Sequence, residues 1–282
     1  MSEKFVTGAD ASPEIGLTMR TGFINTNYHD VGSGAPILFI HGSGPGVSAW
    51  ANWRLVLPEL KHKARAIAPD MAGFGYSEID GELSFNLDMW LNQLTGLLDG
   101  LDLDRVSIVG NSFGGGIALH FASRYPDRVD KIVLMGSVGI SFPLTPGLDR
   151  VWGYTPSLEE MRELISVFAY DKKIVTDDLV ELRYKASVRS DVQERFSALF
   201  PAPRQRWIEA LALDEAALKQ LQHKVLLIHG KDDEVIPLEA SKNIASLLPA
   251  SRLVIIDQCG HWVQIEQTKK FMDELIAFFS LT

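Results

Sequence analysis

The sequence predicts an α/β protein with a mostly parallel central sheet flanked by helices. Three observations carry that prediction. Short Ile/Val/Leu-rich runs without polar alternation recur along the chain, as strands buried on both faces require. Longer segments with apolar residues at helical spacing separate them. Most of the runs end in Gly, Asp or Pro, the residues that turn a strand toward a helix.

Taken in order, Thr21–Gly32 reads as a strand or hairpin with an Asn/Gly-type turn. Pro36–His41 is a buried run and leads into His41-Gly42-Ser43-Gly44-Pro45-Gly46. Such a loop offers a backbone N–H, that of Ser43, to a developing oxyanion. Its glycines also resemble a dinucleotide loop, but no third glycine at the right spacing opens a helix and no acidic residue closes a later strand in the usual position. Ala64–Pro69 is the next run, and Leu83–Leu101 is helical. Arg105–Gly110 then delivers Gly110-Asn111-Ser112-Phe113-Gly114, with a helix over Ser112–Arg124. This is the G-x-S-x-G pattern in its strand–turn–helix setting, which exposes the serine Oγ at a helix start. The residue after the serine, Phe113, supplies the second oxyanion N–H.

Lys131–Gly136 is a further run, after which the rhythm breaks. From 139 to 212 no buried-strand pattern appears, and the interval holds Phe142, Trp152, Tyr154, Phe168, Tyr170, Tyr184, Phe196, Phe200 and Trp207. A helical insertion over the sheet's C-terminal edge would bring such aromatics above the crevice where open α/β sheets bind ligands. About half of them are expected to form the insertion's own core instead. The strand pattern resumes at Lys224–Gly230 and Ser251–Asp257, and Thr268–Phe279 closes as a helix. The division is 1–138 for the first part of the core, 139–212 for the insertion and 213–282 for the second part.

A serine needs a base held by an acid. With the order serine, acid, histidine, His261 in Gln258-Cys259-Gly260-His261-Trp262 is the candidate among the seven histidines. His29, His41 and His62 precede Ser112, His120 is carried away along its helix, and His223 and His229 precede the acidic loop. That loop, Gly230 to Pro237, offers Asp232 and Asp233, of which Asp233 lies past the bend; Asp257 is a weaker alternative. Cys259 admits a thiol-nucleophile reading but fits a small buried residue better.

With 27 Lys+Arg against 36 Asp+Glu, the formal charge is −9. An acidic chain without a basic run lacks the footprint of a nucleic-acid binder. The single cysteine excludes an internal disulfide and a multi-cysteine metal site. No apolar run approaches a membrane span, and Met1–Pro13 has no signal-peptide core. A cytoplasmic protein is expected, as a homo-oligomer, a dimer or larger.

The loop His41–Gly46 continued by Val47–Arg54 resembles the meta-cleavage product hydrolases of aromatic catabolism. So do Gly110–Gly116, Val151–Pro156, Phe200–Trp207 and Cys259–Glu266, so the likeness spans nearly the whole chain. Only the first twenty or so residues and the loop Glu78–Glu82 look idiosyncratic. The resemblance implies an α/β-hydrolase fold with a helical lid inserted after the sixth strand. It implies hydrolysis of a C–C bond in an anionic dienoate, 2-hydroxy-6-oxohexa-2,4-dienoate or a 6-alkyl relative, with no metal or organic cofactor. It also implies substrate contacts at Asn52, Asn111, Arg183 and Trp262. Arg54 and Arg206 are rival clamps for the substrate carboxylate. A carboxylesterase with the same triad, or a non-catalytic receptor on the same scaffold, are the alternatives.

Overall fold

The computed structural model describes residues 12–81, 86–189 and 192–281. The expected helix start at Leu83, Glu82 of the loop and most of Met1–Pro13 lie outside them. A hairpin opens the fold, β1 (Leu17–Thr21) and β2 (Ile24–Gly32), followed by β3 (Pro36–Ile40), α1 (Ala49–Trp53), α2 (Leu57–Leu60) and β4 (Arg65–Pro69). Next come a two-residue β5 (Glu78–Ile79), α3 (Leu87–Gly100), β6 (Val106–Asn111), α4 (Phe113–Arg124) and β7 (Val129–Met135). The helical segment carries α5 (Pro146–Trp152), α6 (Leu158–Phe168), α7 (Asp177–Ser187), α8 (Val192–Leu199) and α9 (Gln205–Leu211). The chain closes with α10 (Glu215–Gln220), β8 (Lys224–Gly230), α11 (Leu238–Leu247), β9 (Ser251–Ile256), α12 (Val263–Glu266) and α13 (Thr268–Phe279).

Three readings of the sequence change here. The hairpin starts at Leu17 rather than Thr21, because Leu17↔Tyr28 through Thr21↔Ile24 all pair antiparallel and leave Gly22-Phe23 as the turn. The short α1, α2 and β5 are too brief to establish a period, and the longer α11 is an element the sequence reading lacks. Counting β5, the helical segment follows the seventh strand, not the sixth. Its last helix, α9, ends at Leu211, and the following α10 packs on α11 of the core.

The sheet order is β1-β2-β4-β3-β6-β7-β8-β9, with β5 beside β2. From β4 to β9 all neighbours are parallel, and the β1–β2–β4 edge is antiparallel. Side chains alternate across a strand, so Leu38, Ile40, Ile108 and Leu134 enter one core while Ile37, Phe39, Val109 and Val133 enter the other. Helices α3 and α4 and the helical segment cover the first face. Trp53, Leu57, Phe271 and Leu275 of α1, α2 and α13 cover the second. That is why the strands read as unbroken apolar runs.

From β3 the chain crosses to β4 on one side, and β6 returns on the other side of β3. The crevice at this reversal, beyond the carboxyl ends of β3 and β6, is where open α/β sheets bind ligands. Asp70, just after β4, braces it. Its buried carboxylate accepts N–H bonds from Ala49 at 2.6 Å, Tyr76 at 2.7 Å and the Asn27 side chain at 2.8 Å. Burial pushes its pKa from 3.8 up to about 6 despite those donors. All three partners are donors, so Asp70→Asn must turn an N–H toward another N–H. That should lower stability by about 2–3 kcal/mol in denaturant titration. The folded state takes this proton first, so the group's contribution to stability declines as pH rises from about 4 to about 6. The asparagine variant should lose that slope, and an unchanged midpoint and slope would refute the bracing role.

Candidate active site

Strand β6 ends on Asn111, and α4 begins at Phe113, so a single residue turns the chain. That residue, Ser112, has φ 54° and ψ −116°, a conformation L-residues rarely adopt. The turn is held by Ser112 N–H donating to Met135 O at 2.9 Å and by Ser112 O accepting from Gly115 at 3.0 Å and Val138 at 3.2 Å. The flanking glycines are steric necessities. A Cβ on Gly110 would stand 2.5 Å from Gly114 O, and one on Gly114 would stand 2.4 Å from Ile40 O. As the first residue of α4, Phe113 has an N–H with no partner inside the helix. The Ser43 and Phe113 amides carry no hydrogen bond among the described residues.

Asp233 follows β8 past the bend. Its Oδ1 accepts N–H bonds from Val235 at 2.8 Å and Ile236 at 2.9 Å, and its Oδ2 lies 2.7 Å from His261 Nδ1. Burial opposes the charge, but His261 and the backbone amide of Ile236 outweigh it and hold the carboxyl below its ordinary range. An ionised Asp233 accepts only, so His261 Nδ1 carries the proton and Nε2 presents its lone pair. The side chain of His229 lies 3.4 Å behind Asp233 Oδ2, and burial keeps its imidazole neutral. The main-chain N–H groups of His261 and Trp262 donate to Phe168 O at 2.8 and 3.2 Å. The Phe168 ring stacks on both side chains. The C-terminus of α6 is thus fastened to the histidine loop.

The rival acids stand apart. Asp232 is exposed, and Asp257 pairs with Lys231 at the surface at 2.7 Å. Cys259 is buried in the second core, where desolvation pushes its thiol up to about 12, so it is inert as a nucleophile.

Ser112 and His261 line one cavity, together with Gly42, Ser43, Asn52, Asn111, Arg183 and Trp262. The rest of its lining includes Leu148, Val151, Met161, Leu164, Ile165, Phe168 and Val235. Of the aromatics expected above the crevice, Phe168 alone lines this cavity among the described residues. Trp152, Tyr154, Phe196 and Phe200 pack into the core, with Trp152 stacked on Phe200 at 4.5 Å. The cavity's cover is therefore mostly aliphatic, because the flat rings stack with one another.

The Gly42 N–H approaches Asn52 Oδ1 at 3.4 Å, which fixes the orientation of that amide. Asn111 Nδ2 approaches the same oxygen at 3.4 Å. The amide orientations leave Asn52 Nδ2 a donor and Asn111 Oδ1 an acceptor, both buried and without a partner among the described residues. Arg183 donates to Pro45 O at 3.2 Å and has no carboxylate within ion-pair distance among the described residues. The rival Arg206 stacks on Trp207 away from the cavity. Among the described residues, no group of three His, Cys, Asp or Glu side chains could hold a metal ion.

Two contributors were not legible in the sequence. In the sequence His41 opens the oxyanion loop and stands on the wrong side of Ser112 for a base, with no role for its ring. Its Nδ1 donates to Gly42 O at 2.8 Å and its Nε2 accepts from Met71 N–H at 2.9 Å. Burial lowers its pKa to about 4, so it is a neutral clamp on the oxyanion loop. Trp152 donates to Ser43 Oγ at 2.9 Å and ties α5 to the same loop. No spacing rule signals either, since both contacts join residues far apart in sequence.

The family described as the alpha/beta hydrolase fold matches residues 35–268. The chain is 54% identical over 260 residues to a 2-hydroxymuconate semialdehyde hydrolase of Pseudomonas sp. (strain CF600), covering 92% of each. It is 52% identical to a 2-hydroxy-6-oxo-2,4-heptadienoate hydrolase of Pseudomonas putida (strain F1), covering 93% of this chain and 95% of that one. A solved meta-cleavage product hydrolase from Pseudomonas fluorescens IP01, a mutant complexed with acetates, superposes with a TM-score of 0.94 at 49% identity, covering 95% of this chain and 99% of that one.

Proposed function

The chain belongs to the α/β-hydrolase fold family and, within it, to the meta-cleavage product hydrolases, and from that premise we propose that it hydrolyses the C5–C6 bond of 2-hydroxy-6-oxohexa-2,4-dienoate or a 6-alkyl relative. One observation carries the reading to this site. The lining of the Ser112 cavity combines Arg183, a cation with no carboxylate within ion-pair distance among the described residues, with the aliphatic side chains of Leu148, Val151, Met161, Leu164, Ile165 and Val235. Such a cavity suits an anion with a small apolar tail.

Carbon is a poor leaving group, so the dienol must first become the keto tautomer. A proton moves from the 2-hydroxyl to C5, which leaves a 2-carbonyl conjugated through C3=C4. Asn111 Oδ1 accepts from the 2-hydroxyl, and Asn52 Nδ2 and Arg183 hold the carboxylate. Trp262 packs on the dienoate plane. Ser112, or a water it orients, then attacks C6 while His261 Nε2 takes the proton, with Asp233 holding the tautomer. The amides of Ser43 and Phe113 receive the oxyanion. As the C5–C6 bond breaks, its electrons pass into the 2-carbonyl. Water completes the balance: 2-hydroxypenta-2,4-dienoate and a carboxylic acid, formate for the aldehyde.

The segment 139–212 serves in this scheme as a lid whose aliphatic wall selects the 6-substituent. The proposal extends to a cytoplasmic homo-oligomer, a dimer or larger, acting without nucleic acid or membrane. Among the described residues no helix is long and apolar enough to cross a membrane.

The test is the visible absorbance of ring-fission products made from catechol and 3-methylcatechol. Their decay should outpace cleavage of an aryl ester, and the reverse order would favour an esterase. Arg183→Gln and Arg183→Lys should both slow the dienoate reaction, by roughly tenfold or more for the loss of a desolvated charged contact worth about 1.5–3 kcal/mol. The neutral ester should change far less. Equal effects on both substrates would move the carboxylate clamp elsewhere.

A further inference from the structure

Beside the Ser112 cavity lies a second one, which shares Val47, Asn52, Arg183 and Trp262 with it. Its remaining wall includes Arg54, Gln264 and Ile265. Arg54 donates to Ala51 O at 2.6 Å and, like Arg183, has no carboxylate within ion-pair distance among the described residues. Two guanidiniums thus face one space and repel each other across it, with Arg189 adding to the positive field at Arg183. The described acid that acts on both is Glu14, whose Oε2 is engaged by Ser48 Oγ at 2.7 Å. Buried polar atoms complete the pattern. Gln264 is 1% exposed, and its Oε1, like Asn52 Nδ2, has no partner among the described residues.

Like charges held together beside unfilled hydrogen-bonding capacity are costly unless an anion joins them. The location says what that anion does. On one side the Ser112 cavity is covered by α5 and α6, which Trp152 and Phe168 fasten to Ser43 and His261. It shares Val47, Asn52, Arg183 and Trp262 with the second cavity. A chain of net charge −9 repels an anionic substrate at long range, and a cationic pocket beside the site reverses that sign locally.

We propose that the second cavity is an anion antechamber, in which Arg54 captures the carboxylate of a small conjugated dienoate and passes it to Arg183 in the Ser112 cavity. The dienoate class rests on the proposed function; the charge-driven capture does not. Arg54 thereby sets the rate of association, and Arg183 the rate of dissociation. That split is the usual one between an approach charge and a desolvated contact.

The experiment uses 2,4-hexadienoate, which has no 6-carbonyl and cannot be cleaved, with 2,4-hexadienamide as its uncharged control. Stopped-flow tryptophan fluorescence on the full chain gives both rate constants at several salt concentrations. Arg54→Gln should lower the association constant for the carboxylate by about tenfold at low salt and flatten its salt dependence, with dissociation little changed. Arg183→Gln should mainly raise dissociation, and the amide should be indifferent to both. Arg54→Lys keeps the charge and should retain most of the association rate. If it falls as far as Arg54→Gln, the residue acts through packing at the end of α1 and the antechamber is refuted. Wild-type association and salt dependence in Arg54→Gln would refute it as well, leaving the proposed function intact. Conversely, Arg54-dependent capture without any turnover of ring-fission products would sustain the antechamber and overturn the proposed function.

Discussion

Ser112→Ala should lower turnover of the ring-fission product by at least about 10³-fold, the scale seen when a triad nucleophile is removed. The fold should survive, because alanine keeps the same Cβ in the same φ 54° turn and the three backbone hydrogen bonds at Ser112 remain. A companion variant tests the strain directly. Ser112→Gly should be at least as stable as the parent, since positive φ is no burden to glycine and costs other residues about 1–3 kcal/mol. Circular dichroism melting and single-turnover absorbance measure the two effects separately. Near-parental turnover in Ser112→Ala would remove the serine from the chemistry.

Asp233→Asn should cost about 10³- to 10⁴-fold in turnover by reversing the histidine tautomer. The local geometry makes the reversal hard to avoid. Two backbone N–H groups, from Val235 and Ile236, claim one side-chain oxygen at 2.8 and 2.9 Å. An asparagine that satisfies them must turn its NH₂ toward His261 Nδ1, which then has to accept. Nε2 becomes the protonated nitrogen and can no longer take a proton from Ser112 or water. Asp232→Asn should be mild, because that side chain is exposed and no bond joins it to His261. Should Asp232→Asn be the crippling change instead, the acid has been misassigned.

Local chemistry carried a large share of this protein in its sequence. The parallel strands were legible because burial on both faces leaves an unbroken apolar run, and helix α13 because its single buried face repeats at helical spacing. Ser112 was legible because a one-residue strand-to-helix turn demands glycines on both sides. The pair Asp233 and His261 followed from chain order, since each sits at the carboxyl end of a strand in the same parallel sheet. Long-range placement decided the rest. Whether Asp232 or Asp233 meets His261 depends on how the loop after β8 bends, and the neighbouring amides settle that in favour of Asp233. The neutral clamp of His41 and the tie from Trp152 to Ser43 join residues 30 and 109 positions apart. The mostly aliphatic cavity wall arises because the insertion's rings pack on Phe113 and on each other. Burial then gives two neighbouring arginines a meaning that neither has as a letter: a guanidinium is ordinary in water, and two facing one cavity, with no carboxylate within ion-pair distance among the described residues, await an anion.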